Sequence, residues 1–304
     1  MISGLYTKIL QAKREFFIIR RAFFKTECGW EYLYYRFLIT PKILGRQDPI
    51  GRPQNQENLA VHILVCARDF GMTLWSLLSF YHTHDIYGHL YIHSDGTLHA
   101  KHKKILSRLF PSATYIDPDV FEESFQTRVD VPEEVRAFRL EQKVVFLKKL
   151  VDPHFVSQEA CTLIIDPDLI WFKDLRELGS VVSGEDKHAY MMDGQNINKV
   201  WFKHDEELPD ELSRFNGGLI LYRKEQLDLE KLGEFFSRID MHKKQLFIGQ
   251  SGHAYALDNL LPLPEQDYVV KGVVTKKTRM KHYTSPQREH FFTKGVAFLS
   301  KLDI

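Results

Sequence analysis

Leu163-Ile164-Ile165-Asp166-Pro167-Asp168-Leu169-Ile170-Trp171 sets two carboxylates around a proline, between two apolar runs. The first run is short and β-branched, which predicts a buried strand (Thr162 to Ile165), and Pro167 marks where it ends. In an open parallel sheet, ligands bind outside the carboxyl ends of the strands. Two carboxylates two residues apart at such an end can both reach one hard cation, Mg²⁺ or Mn²⁺. That cation can bridge a diphosphate and neutralise a departing one. A plain Asp-Pro-Asp turn is the other reading of the same residues, since Asp and Pro favour turns.

On both sides of this stretch, strands alternate with helices. Apolar β-branched runs predict strands at Ala60 to Ala67, Leu90 to His93, Ala113 to Ile116, Ala189 to Met192 and Gly218 to Tyr222. Helical periodicity covers Met72 to Tyr81, Ala100 to Phe110, one long stretch from Glu133 to Leu150, and Leu227 to Ile239. This order predicts an α/β protein: a Rossmann-like, mostly parallel sheet with helices on both faces. The early strands end on Arg68 and Asp69, on Ser94 and Asp95, on Asp117 and Asp119, and on Asp166 and Asp168. One such Asp is commonly a helix cap or turn residue. Four strand ends in succession favour a crevice that holds a cation and a phosphorylated ligand.

The apolar-D-x-D-apolar run resembles that of metal-dependent nucleotide-sugar glycosyltransferases of the GT-A fold, especially the glycogenin-like and galactosyltransferase-like group. Phe215-Asn216-Gly217-Gly218-Leu219-Ile220 is similar to that group's F-N-x-G strand. Gln250 looks like the glutamine of its [DE]-Q motif, and His282-Tyr283 with Arg288 resembles its C-terminal H-F-x-G-x-x-K motif. The order matches from residue 60 to about 295. The departures are Gly249 for the acid before the glutamine, Ser285 for glycine and Arg288 for lysine.

The resemblance implies a hexosyltransferase that moves a sugar from a nucleotide-diphosphate sugar, UDP-sugar favoured, to a glycan or lipid-linked acceptor. It implies Mn²⁺ (or Mg²⁺) on Asp166, Asp168 and His282, and catalytic roles for Asp166, Asp168, Asn216 and Gln250. Donor contacts would fall to Arg288 at the β-phosphate and to Arg68, Asp69 and Asp95 near base and ribose. Arg139 or Lys143 would reach the donor sugar or pyrophosphate. Asp193 and Asp258 are the candidates if a catalytic base is needed. A haloacid-dehalogenase-like phosphatase would place its D-x-D after the first strand, and a sugar nucleotidyltransferase would open on a glycine-rich phosphate loop. Neither pattern is present. A glycosyltransferase-like protein that binds without turnover is the remaining alternative.

Of the 304 residues, 41 are basic and 40 acidic, a balance that argues against a nucleic-acid partner. The three cysteines, Cys28, Cys66 and Cys161, are widely spaced, which favours a reducing compartment. The longest uncharged run, Phe70 to His84, is too short to span a bilayer, and the first 30 residues hold no signal-peptide core. The expected location is cytoplasmic. Residues 1–46 nevertheless carry nine basic and three acidic side chains, against 32 and 37 in the remainder. Ile2, Leu5, Ile9, Ala12, Phe16, Ile19 and Phe23 form one helical stripe there. The expected organisation is a helical appendage (1–46), a polar linker (47–58) and a catalytic domain (59–304). A basic amphipathic helix suits peripheral contact with the inner face of a membrane through residues 1–25. It also suits docking on its own domain or on a second copy in a homodimer.

Overall fold

The computed structural model describes residue 13 and residues 15–142, 144–194 and 198–302. Seven strands form the main sheet: β1 (Leu59–Val65), β2 (His89–Ser94), β3 (Thr114–Ile116), β4 (Cys161–Ile165), β6 (Ala189–Asp193), β7 (Phe215–Arg223) and β8 (Leu260–Leu263), with β5 (Leu169–Trp171) lying outside it. Their order is β3-β2-β1-β4-β7-β6-β8. β7 alone runs against its neighbours, pairing antiparallel with both β4 and β6. The remaining pairs are parallel. The expected α/β sheet, mostly parallel, is therefore what forms.

The strand pattern explains its burial. Leu59, Val61, Ile63 and Val65 of β1, with Leu163 and Ile165 of β4 and Leu219 and Leu221 of β7, enter one core. Ile164, Ile220 and Tyr222 point the other way, into a second core beneath the helices of residues 133–156 and 229–256. Strands buried on both faces read as continuous apolar runs because successive side chains alternate between two cores.

The single helix expected from Glu133 to Leu150 is two: Glu133–Glu141 and Val145–Val156. Gln142 and Val144 between them are extended. Val135 and Leu147 would stand about 120° apart on a continuous helix, so one straight face could not bury both. The break lets both enter the second core, and the β-branched pair Val144-Val145 has little helix propensity to resist it.

A second sheet, in the order β5-β10-β9, contains β9 (Tyr268–Val269) and β10 (Met280–His282). It extends from the carboxyl end of β4 through Asp166-Pro167-Asp168. The backbone N–H of Asp166 donates to Gly218 O at 2.9 Å in the main sheet, and that of Tyr283 donates to Asp168 O at 2.9 Å in the small one.

The head of the chain packs on the first core. Ala22, Tyr32, Ile39 and Ile43 belong to that core, Arg21 pairs with buried Glu289 at 3.0 Å, and Tyr32 meets Phe292 edge-on. The stretch expected as a linker is held too. The N–H groups of Ile50 and Gly51 both donate to Leu109 O at 2.8 Å, and Asn55 bonds to Tyr87. Ile2, Leu5, Ile9 and Ala12 of the expected stripe lie outside the described residues. Among the described residues, no helix is long and apolar enough to cross a membrane.

Candidate metal and diphosphate site

Antiparallel pairing of β10 with β5 puts His282 opposite Leu169. That register brings the imidazole to the acid pair: Nε2 lies 3.0 Å from Asp168 Oδ1 and 3.7 Å from Asp166 Oδ2. Ligand atoms of Asp166, Asp168 and His282 all lie within 4.8 Å of one another. On the far side of the ring, Nδ1 is 2.9 Å from Asn216 Oδ1. The same Asn216 oxygen accepts from the backbone N–H of Gly218 at 2.8 Å, which identifies it as the oxygen of the amide. Nδ1 therefore carries a hydrogen and donates, and in the neutral imidazole Nε2 keeps its lone pair. A lone pair facing two carboxylates is repulsive unless a cation or a proton lies between them. This donor set, one imidazole nitrogen and hard carboxylate oxygens, fits Mn²⁺ or Mg²⁺, with Asn216 orienting the ligand from behind.

Glycine at 218 is a packing requirement. A Cβ there would stand 2.3 Å from His282 Nδ1, so only glycine lets the ring lie against β7. Gln250, expected as catalytic, lies within the Ile248–Ala256 helix. Its Nε2 donates to Phe215 O at 3.0 Å and its Oε1 accepts from the Gly217 N–H at 3.4 Å. These bonds tether the Asn216-bearing end of β7. Gly249 sits against Phe146, whose carbonyl oxygen would be 3.2 Å from an added Cβ.

Cations surround the acids. Arg288 Nη2 is 3.0 Å from Asp69 Oδ2 and 3.3 Å from Asp168 Oδ2, and Arg68 Nε donates to Asp69 Oδ1 at 2.9 Å. Burial would raise the Asp168 carboxyl. The cations around it, Arg288 and Lys149, work against burial, and the carboxyl is held below its usual range. Asp69 is likewise held below its usual range, its two arginines overcoming burial. Asp69 and Arg68, read as nucleotide contacts, thus form with Arg288 a linked chain of charges leading to the acid pair.

Lys149 carries no motif in the sequence, yet it joins the acid pair. Its Nζ lies 2.6 Å from Asp166 Oδ1 and donates also to the Gly217 carbonyl. The break at Gln142–Val144 resets which face of the second helix turns inward, and an unbroken helix gives no sign of it. Arg139, expected at the donor sugar or pyrophosphate, is engaged elsewhere. It is 4% exposed and forms a bidentate pair with buried Asp152 at 2.8 and 3.0 Å, joining the two helices rather than reaching the acid cluster. Lys143 lies outside the described residues.

The other strand ends divide. Asp95 closes a turn, accepting from the Thr97 N–H at 2.9 Å, and its charge reaches Arg68. Asp117 is the N-cap of the Pro118–Gln126 helix and pairs with Lys103, the capping role rather than a ligand role. Asp193 pairs with Arg214 at 3.7 Å, and Asp258 with Lys231 at the surface.

An α/β sheet whose D-x-D hinge leads into a small second sheet, with a histidine returned from that sheet, is the arrangement of the GT-A glycosyltransferases, and the chain has that fold. The bifunctional glycosyltransferase WbbM superposes with a TM-score of 0.54 at 15% identity, over 81% of this chain and 50% of that one. This chain thus spans about half of WbbM. An active-site mutant of LgtC superposes with a TM-score of 0.50 at 11% identity, over 81% of this chain and 96% of LgtC. The galactosyltransferase LgtC with donor and acceptor sugar analogues gives 0.50 at 10% identity, over 80% and 94%. No protein-family model and no curated protein sequence matches the chain.

Proposed function

We propose that the protein is a divalent-metal-dependent glycosyltransferase, moving a hexosyl group from a nucleotide-diphosphate sugar to a glycan or lipid-linked acceptor. The observation that carries this reading is the cluster of His282 Nε2 with the carboxylates of Asp166 and Asp168, with Arg288 alongside. Mn²⁺ or Mg²⁺ bound there supplies charge neutralisation for the leaving diphosphate. Arg288 would turn its fork from Asp69 and Asp168 to phosphate oxygens, for which a planar guanidinium is suited. Lys149 would remain near Asp166 and orient it. Asn216 would hold the His282 tautomer, and Gln250 would keep β7 in place. The donor and acceptor analogues bound by LgtC support the partner classes. The preference for UDP rests on the sequence resemblance.

The test is thermal stability with UDP, GDP and CMP, each with and without Mn²⁺. Stabilisation by UDP that requires Mn²⁺ is expected, because a ligand bound only to the native state raises stability. Asp168→Asn should abolish the metal-dependent part. Equal stabilisation without metal in both proteins would overturn the assignment. The packed Gly249 position, where the related motif has an acid, favours a second reading: binding without turnover. Metal-dependent hydrolysis of the donor to nucleoside diphosphate separates the two, since only an enzyme releases it.

A further inference from the structure

Of the stripe expected from the sequence, Ile19 packs inward on the first core, beside Ile18 and Ala22, whereas Phe16 stays exposed. The outward face is the uncommon one. Phe16, Phe17 and Phe24 on the helix of residues 15–24 are 62%, 53% and 81% exposed. After the turn at Glu27, Trp30, Tyr34, Phe37 and Leu38 are exposed too, at spacings that share one helical face. Phe23 and Trp30, 5.3 Å apart and edge-on, join the two segments. Lys13, Arg20 and Lys25, all exposed, lie among these rings.

We infer that this outward aromatic and basic face of residues 13–38 docks on an anionic lipid surface. Aromatic side chains mixed with Lys and Arg are the composition of interfacial helices. Charge selects the occupant. Residues 13–38 hold six basic and three acidic side chains, a net +3, so a second copy presenting the same face would oppose like charges, whereas an acidic membrane complements them. The C-terminal segment continues the chemistry. Phe298, Lys294 and Lys301 border an open cleft of about 440 Å³ whose other wall includes Glu31 and Tyr35. The head also holds that segment through Arg21 and Glu289, the residue after Arg288, so the docked face is rigidly tied to the candidate site. The inference stands on the head alone and does not require glycosyl transfer.

The experiment is sedimentation of the full chain with vesicles of phosphatidylcholine, or of phosphatidylcholine with phosphatidylglycerol. Binding is expected to the anionic vesicles only, with a blue shift of Trp30 emission that Trp30→Phe removes. Raising salt to about 1 M, where the screening length is near 3 Å, should release the protein. Each basic side chain near the surface is worth about fivefold in partitioning, so Lys13→Gln/Arg20→Gln/Lys25→Gln should weaken binding on the order of a hundredfold. Phe24→Ser/Leu38→Ser, at side chains 81% and 62% exposed and so tolerable to the fold, should also lose binding while keeping the wild-type urea midpoint. No sedimentation with anionic vesicles at low salt overturns the inference, as does unchanged binding by both variants. Self-association of wild type that Phe24→Ser/Leu38→Ser abolishes, without vesicle binding, overturns it in favour of an interface between copies.

Discussion

The side-chain oxygen of Asn216 fixes which nitrogen of His282 carries the proton, because the Gly218 N–H at 2.8 Å and His282 Nδ1 at 2.9 Å both meet that one oxygen. Asn216→Leu removes the acceptor and frees the ring to change tautomer or turn. Mn²⁺ affinity should fall about 10- to 100-fold, the usual effect of losing such a supporting bond, while Asn216→Asp retains it. Calorimetric titration with Mn²⁺ in the presence of UDP checks both; equal affinity for Asn216→Leu and wild type would refute the assignment.

Gly218→Ala tests the same contact sterically. With a Cβ at 2.3 Å from His282 Nδ1, either β7 or the ring must move. Overpacking of this kind costs about 1–3 kcal/mol, and metal-dependent stabilisation should disappear with it. Urea denaturation with and without Mn²⁺ measures the two effects separately.

Lys149 neutralises Asp166 before any metal arrives. Lys149→Met leaves two carboxylates facing one imidazole. The metal-free protein should lose about 1.5–3 kcal/mol, the range for a hydrogen bond to a charged group. The added stability from Mn²⁺ should grow, since the cation then supplies the missing charge. A smaller Mn²⁺ effect in Lys149→Met would show instead that the lysine chiefly orients Asp166 for the metal.

Arg139 and Asp152 form a pair that is buried on both sides. Arg139→Met strands a carboxylate in the second core and should cost about 3–5 kcal/mol. Asp152→Asn should cost less, because Arg139 keeps a second carboxylate, Glu122, at 3.5 Å. Both variants, measured below their unfolding temperatures, should bind UDP with wild-type affinity. A selective loss of UDP binding in Arg139→Met would return that residue to the site.

Burial lowers His62 well below its ordinary range, His93 and His253 to about 3, and His84 and His154 to about 4. The unfolded chain takes up these protons as pH falls through about 6.5, whereas in the native protein His84, His93, His154 and His253 do so only near pH 4 to 3, and His62 well below 6.5. Stability is therefore complete above about pH 6.5 and falls below it, by up to about 1.4 kcal/mol per pH unit for each histidine. Urea midpoints between about pH 7.5 and 5 should decline with an onset near 6.5. A flat profile would mean that these rings are protonated in the native state.

Local sequence by itself determined the alternation of strands and helices, because β-branched runs and 3.6-residue periodicity act over a few residues. It determined that Asp166 and Asp168 stand where a buried strand ends, because Pro167 cannot continue one. Through motif likeness it also indicated Asn216, His282 and Arg288. Tertiary structure decided how these meet. His282 is 114 residues from Asp168, and only the register of β10 on β5 sets their separation at 3.0 Å. The break at Gln142–Val144 sent Arg139 to Asp152 and Lys149 to Asp166, a choice made by which apolar side chains the second core could accept. The head's periodicity gave an apolar stripe without its partner, and packing on the first core decided which aromatic rings stayed outside. Contacts between distant segments depend on the shape of the surface each one meets, and no local pattern contains that shape.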